Sequence, residues 1–158
     1  MTLDPRKKNE LRSAVYHITY EVEAMRRAAA YFGQRKRRFD LEAALVHARN
    51  LVDFFWAPSG RRNAHEDGVY AVHFFKDWPA RRGCLPQEPN ERYPAISAQL
   101  SHISIKRNQR DVVVDFEDVL PGIVEGLERA WACFLAALAG TDWPARFRKR
   151  LARWHEMK

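Results

Sequence analysis

Near the start of the chain, apolar residues recur at alternating steps of four and three: Leu11, Val15, Ile18, Val22, Met25, Ala29 and Phe32. That rhythm follows the 3.6-residue turn of an α-helix and predicts an amphipathic helix with one buried stripe. Asp4 and Pro5 read as its start, Asp as the N-cap and Pro in the first helical position. Gly33 reads as its C-cap. A second stripe, Leu41, Leu45, Ala48, Val52 and Phe55, is widened by Ala44, Leu51 and Phe54. So wide a stripe predicts a helix buried on more than one side. Asp40 reads as its N-cap, and Pro58, Ser59 and Gly60 end it.

The middle of the chain is less regular. Residues 67–78 (DGVYAVHFFKDW) predict a short helix with Val69, Val72 and Phe75 turned inward. Residues 79–94 carry prolines at 79, 86, 89 and 94 together with Gly83, which predicts a long irregular loop. Residues 95–107 (AISAQLSHISIKR) fit a helix through Ile96, Leu100 and Ile103, and a strand through Ile103 and Ile105. Helix is preferred, because only Val112 to Val114 offers a sheet partner. A long helix is expected from Asp118 to Ala139, with Pro121 in its first turn and Gly140 ending it. Its stripe is Leu120, Ile123, Leu127, Ala130, Phe134 and Leu138. Asp142 then caps a last helix over 142–158, lined by Phe147, Leu151 and Trp154. The expected architecture is all-α: one domain over 1–158, built as an antiparallel bundle of four to five helices with a long irregular middle loop.

Composition bears on partners more than on fold. A chain of 158 residues with 46% hydrophobic residues can bury a full core, which excludes intrinsic disorder. The formal net charge is +7, from 27 basic and 20 acidic residues; such a balance suits an acidic partner, nucleic acid, an anionic membrane surface or an acidic protein, and equally a basic surface that only keeps the protein soluble. Arginine outnumbers lysine 20 to 7, and its planar fork suits phosphate. Two clusters carry the positive charge: Arg35, Lys36, Arg37 and Arg38, and, with Trp143 and Trp154 close by, Arg146, Lys149, Arg150 and Arg153. Arginines interleaved with aromatics can bind phosphates and stack on bases, and a solvated charged face has the same composition. Cys84 and Cys133 form neither a disulfide framework nor a zinc module, which places the chain in a reducing compartment, with the cytoplasm as the expected location. The opening MTLDPRKKNEL has no apolar core of a secretory leader, and the run from Ala130 to Ala139 is shorter than the roughly 20 residues that span a bilayer. No phosphate loop, dinucleotide fingerprint, nucleophile elbow or metalloprotease motif is present, so neither a cofactor nor a metal is expected.

Two histidines stand in suggestive surroundings. His47 lies at the edge of the second stripe, beside Asn50 and near an Arg49–Asp53 pair spaced for an ion pair on one helix face. Proton transfer or RNA contact is one reading; a hydrogen-bonded boundary residue is the other. His102 is followed by Lys106, Arg107 and Arg110. Imidazole beside guanidinium suits metal-independent RNA cleavage, with a proton moved by one and phosphorane charge stabilised by the other; a helix-packing histidine with a solvated basic end is the other reading.

The segments LVHARNLVDFFW (45–56) and ISAQLSHISIKR (96–107), with Glu66–Asp67 and a Phe-rich turn between them, resemble a group of small bacterial helical proteins that is distantly similar to HEPN-type domains. The resemblance covers roughly residues 40–138. It implies a helical bundle, often dimeric, that acts either as a ribonuclease in toxin or defence systems or as an inactive binding module. The HEPN catalytic pattern is an arginine, four to six residues, then a histidine. His102 stands in the histidine place, and the arginine slots hold Ala95, Ile96 and Ser97. A ribonuclease on this chain would need His102 with Arg107 as a substitute cation and His47 as a second proton carrier. The departure from the pattern favours the non-catalytic binding module.

Overall fold

The computed structural model describes residues 5–56, 68–75, 77–78, 85–100, 115–138 and 145. Every regular element among them is a helix: α1 (Pro5–Arg35), α2 (Arg38–Trp56), α3 (Ala71–Phe74), α4 (Glu88–Leu100) and α5 (Phe116–Leu138). The expected terminal helix over 142–158, the segment from Ser101 to Arg107 and the strand-like Val112 to Val114 lie outside the described residues.

The stripe on α1 forms as its spacing requires: Leu11, Ile18, Val22, Met25 and Phe32 are buried, joined by Ala14 and Ala28. Val15 lies outside the residues whose side chains are described. Gly33 does not end the helix, which continues to Arg35. The stop is made by Lys36, which takes the left-handed conformation at φ 51 and donates its N–H to the Phe32 carbonyl at 2.8 Å. That single bond closes an αL cap, a geometry glycine favours on steric grounds but does not monopolise. Gly33 sits three residues too early to make it.

Only Lys36 and Arg37 separate α1 from α2, so the two helices must run antiparallel, and their interface is the most extensive among the described elements. Asp40 is not the N-cap of α2. The helix opens at Arg38, and the Arg37 carbonyl accepts from the Asp40 and Leu41 N–H groups at 3.0 and 3.3 Å. Asp40 is thereby drawn inside the first turn and buried. Of the α2 stripe, Ala44, Leu45, Ala48, Leu51, Val52, Phe54 and Phe55 are all buried, with Trp56 added, and Leu41 is half-buried. Burial on two sides follows from position, because α1, α4 and α5 all pack against α2.

The short helix α3 turns a different face inward than its spacing suggests. Ala71, Phe74 and the following Trp78 are buried, while Val69, Val72 and Phe75 are half-buried. Trp78 decides the orientation, since its indole Nε1 donates to the Phe55 carbonyl at 2.9 Å. The expected loop over 79–94 is corrected in its second half, where α4 begins at Glu88. Pro89 falls in the first turn of α4, where its missing N–H has no intrahelical acceptor to lose. Pro94 lies within the helix at an exposed position. The helix expected through Ile96 and Leu100 is present, and Ile96 is fully buried.

α5 starts two residues before the expected Asp118. Asp115 is its N-cap, accepting the Glu117 N–H on Oδ1 at 2.9 Å. Pro121 therefore falls beyond the first turn. The six expected stripe residues, Leu120, Ile123, Leu127, Ala130, Phe134 and Leu138, are all buried. Phe134 meets the rings of Phe54, Phe55, Phe74, Phe75 and Trp78 edge-on and stacks on Trp131, so α2, α3 and α5 share one aromatic centre. α4 closes on α5 through Gly126, where a Cβ would stand 2.6 Å from Pro89 Cγ and 2.9 Å from its Cδ.

Two substitutions test this packing. Phe55→Ala is expected to cost about 3–5 kcal/mol in urea unfolding, since a fully buried ring leaves a cavity. Gly126→Ala is expected to destabilise by about 1–3 kcal/mol, because Pro89 is rigid and cannot yield. Gly122→Ala serves as its control. There the new methyl meets only the end of the flexible Glu88 side chain, and helix propensity favours alanine by about 1 kcal/mol. A Gly126→Ala protein as stable as the Gly122→Ala protein would refute the α4–α5 contact.

Candidate functional site

The tight α1–α2 turn gathers four consecutive cations at one end of the hairpin. Arg35, Lys36, Arg37 and Arg38 are all exposed. They are not equivalent. The Arg35 guanidinium lies 4.5 Å from the centre of the Tyr31 ring. Stacking of this kind restrains the plane and leaves the edge N–H donors for a ligand. Lys36 Nζ is 5.0 Å from the Phe32 ring centre and 3.4 Å from Glu117 Oε2. Arg38 Nε donates to Glu42 Oε1 at 3.0 Å, an i to i+4 pair along α2. Arg37 caps α2 through its backbone carbonyl, and its side chain has no partner among the described residues. Two of the four charges are thus offset by carboxylates, and Arg37 and Arg35 are the ones left to meet an anion. The second expected cluster, Arg146, Lys149, Arg150 and Arg153, lies outside the described residues, as do His102, Lys106, Arg107 and Arg110.

His47 sits on α2 against α1. The Glu21 carboxylate accepts from its Nδ1 at 2.8 Å and from Asn50 Nδ2 at 3.1 Å. The edge of the Tyr20 ring closes on the imidazole at 5.7 Å between centroids. With Nδ1 taken by a carboxylate, Nε2 is the nitrogen left for proton exchange. None of the contacts around His47 brings a guanidinium to it. The neighbouring Arg49 instead lies 6.0 Å from the Tyr93 ring centre, and Asp53 accepts the Tyr93 hydroxyl at 3.0 Å, which ties α2 to α4. The arrangement suits a boundary histidine that links the two helices.

Sequence reasoning missed Glu21 and its neighbours because carboxylates on a helix flank are the commonest solvated residues. It also missed Arg26, whose guanidinium forks across two oxygens of Glu128 on α5 and reaches Glu23 on its own helix at 2.9 Å. The hydrogen bonds that Arg26 donates to Glu128 hold its pKa above the ordinary value, against the opposing effect of partial burial. One signal was available: Tyr16, Tyr20, Ala24, Arg27 and Tyr31 form a second helical stripe on α1, on the side away from the core stripe, and the three tyrosines are exposed.

Among the described residues no group of three His, Cys, Asp or Glu side chains comes together to hold a metal, and no helix is long and apolar enough to cross a membrane. Cys133 is a free, exposed thiol, and Cys84 lies outside the described residues. The fold and these sites define an all-α helical bundle with a basic hairpin tip. No family model, curated protein or solved structure matches the chain.

The Glu21–His47 contact has a measurable consequence. A double-mutant cycle between Glu21→Ala and His47→Ala is expected to show a coupling of about 0.5–1.5 kcal/mol in unfolding free energy. Additive effects would show that the imidazole is not engaged in holding the helices together.

Proposed function

We propose that this chain is a non-catalytic helical binding module whose hairpin tip engages nucleic acid. The observation that carries the reading is the exposed run Arg35 to Arg38 at a two-residue turn, with the Arg37 side chain unpartnered among the described residues and the Arg35 guanidinium held against the Tyr31 ring. A net charge of +7 supplies long-range attraction to a polyanion. The rigid hairpin fixes the spacing of the cations, so little order must be gained on binding. The cluster Arg146, Lys149, Arg150 and Arg153 extends the same chemistry toward the C-terminus. A bacterial toxin or defence setting and assembly as a homodimer follow from the HEPN resemblance and belong to the same proposal.

The ribonuclease alternative is the weaker one. It rests on His102 and Arg107 with His47 as second proton carrier, and the contacts of His47 among the described residues are with Glu21 and Tyr20 and include no guanidinium.

Binding of labelled single-stranded RNA and duplex DNA, followed by fluorescence anisotropy across a salt series, tests the proposal. Affinity is expected to fall steeply with salt, because each phosphate contact releases condensed counterions. Arg37→Ala is expected to lower the slope of log K against log salt by about 1. Failure to bind either polymer at low salt would overturn the reading in favour of an acidic protein partner. RNA cleavage in the presence of chelator that disappears with His102→Ala would replace binding by catalysis.

A further inference from the structure

We propose that an aromatic groove between α1 and α2, opening beside the basic tip, is a base-stacking site that makes the protein a binder of single-stranded nucleic acid. The inference rests on the tip engaging nucleic acid and adds which strand form it selects. Ala24 and Ala28 from α1 and Ala43 from α2 are too small to fill the space between the helices, and leave a hollow of about 230 Å³. Tyr20 and Tyr31 from α1 and Phe39 from α2 border it. All three rings are exposed, Phe39 at 77%. Exposed Tyr16, one turn before Tyr20, continues the aromatic border along α1. A lone exposed ring is ordinary, whereas rings gathered around one hollow mark a surface that a partner covers.

The surrounding charges decide what that partner is. Arg27 borders the groove, exposed and without an ion pair among the described residues. Arg35 lies against Tyr31, and Arg37 and Arg38 immediately precede Phe39. The acids close by are neutralised or sealed. Glu23 pairs with Arg26, Glu42 pairs with Arg38, and Asp40 Oδ2 is closed off from solvent. The groove therefore presents a positive field, which attracts an anion and repels a cation.

Among anions, a single strand matches the groove on both counts. Its phosphates meet the guanidinium groups, and its unpaired bases offer flat faces to the rings. The hollow has room for one base, and Tyr20 and Tyr31 stand about 16 Å apart along α1, so a strand can follow the groove from ring to ring. A duplex keeps its bases stacked on one another and can use only the arginines. An acidic peptide satisfies the charges and leaves most of the rings uncovered. Because every base has a π face, the site is expected to tolerate many sequences.

Fluorescence anisotropy with the full chain tests the groove on three labelled probes of equal length: a single strand of mixed sequence, its duplex, and an abasic strand that keeps the phosphates and lacks the bases. The single strand is expected to bind about tenfold more tightly than either of the others. Phe39→Ala alters an exposed ring, so folding is not at stake. It is expected to weaken the single strand about fivefold or more and to leave the duplex and the salt slope unchanged, since stacking releases no counterions. Phe39→Trp is expected to restore affinity, whereas Arg37→Ala weakens all three probes. The proposal is overturned if the abasic strand binds as tightly as the intact one, or if Phe39→Ala leaves the single strand unaffected or weakens the duplex equally. In those cases binding that Arg37→Ala weakens still leaves the tip as a polyanion contact. Absence of all binding at low salt removes the tip reading itself, and the groove with it. A dimer in sedimentation that Phe39→Ala dissociates would assign the rings to a second copy of the chain and overturn the proposal.

Discussion

Phe134 lies fully buried where α2, α3 and α5 converge, and much of the bundle is arranged around it. Its ring touches aromatic side chains from each of those elements, so one residue organises segments far apart in sequence. Edge-on contacts set ring angles as well as distances, which gives the core a preferred geometry that an all-aliphatic centre would lack. Trp78 adds a polar restraint by donating to the Phe55 carbonyl. α3 has only four residues and no stability of its own. It is held because Phe74 and Trp78 are locked into this cluster. The inward face of α3 is therefore chosen by the aromatic centre and not by local spacing.

The hairpin of α1 and α2 is the second organising constraint. A connection of two residues leaves no slack, so the phase of one helix fixes the phase of the other. The αL conformation of Lys36 makes the reversal and turns four cations outward at the tip. The same reversal draws Asp40 into the first turn of α2, where it is buried and no ion pair among the described residues reaches it. One piece of backbone geometry thus produces an exposed basic end and, beside it, a buried acid.

Polar satisfaction separates structural groups from candidate functional ones. Glu21, His47 and Asn50 complete one another, Tyr93 and Asp53 do the same between α4 and α2, and Arg26 with Glu128 joins α1 to α5. Such pairs fix helices in register and leave little capacity for a ligand. Arg37 at the tip stands apart, because its side chain has no partner among the described residues. Its exposed positive charge suits the polyanion proposed for the tip.

The all-α class, the long helices and nearly all of the core were legible from apolar spacing, because helix periodicity is a local property repeated over many turns. The stripe Leu120 to Leu138 is buried residue for residue as its spacing implies. Helix ends were legible only in part. Gly33, Asp40 and Pro121 each carry a strong local preference, yet the caps fall at Lys36, Arg37 and Asp115, where hydrogen bonds with neighbouring residues outweigh about 1 kcal/mol of intrinsic preference. The prolines of 88–94 suggested loop, and packing of Pro89 on Gly126 made the segment helix. The basic tip could be read from its charges alone. The partners of His47 and Asp40 could not, since a single carboxylate is solvated, paired or stranded according to what another helix brings to it, and only the packing of α1 on α2 decides which.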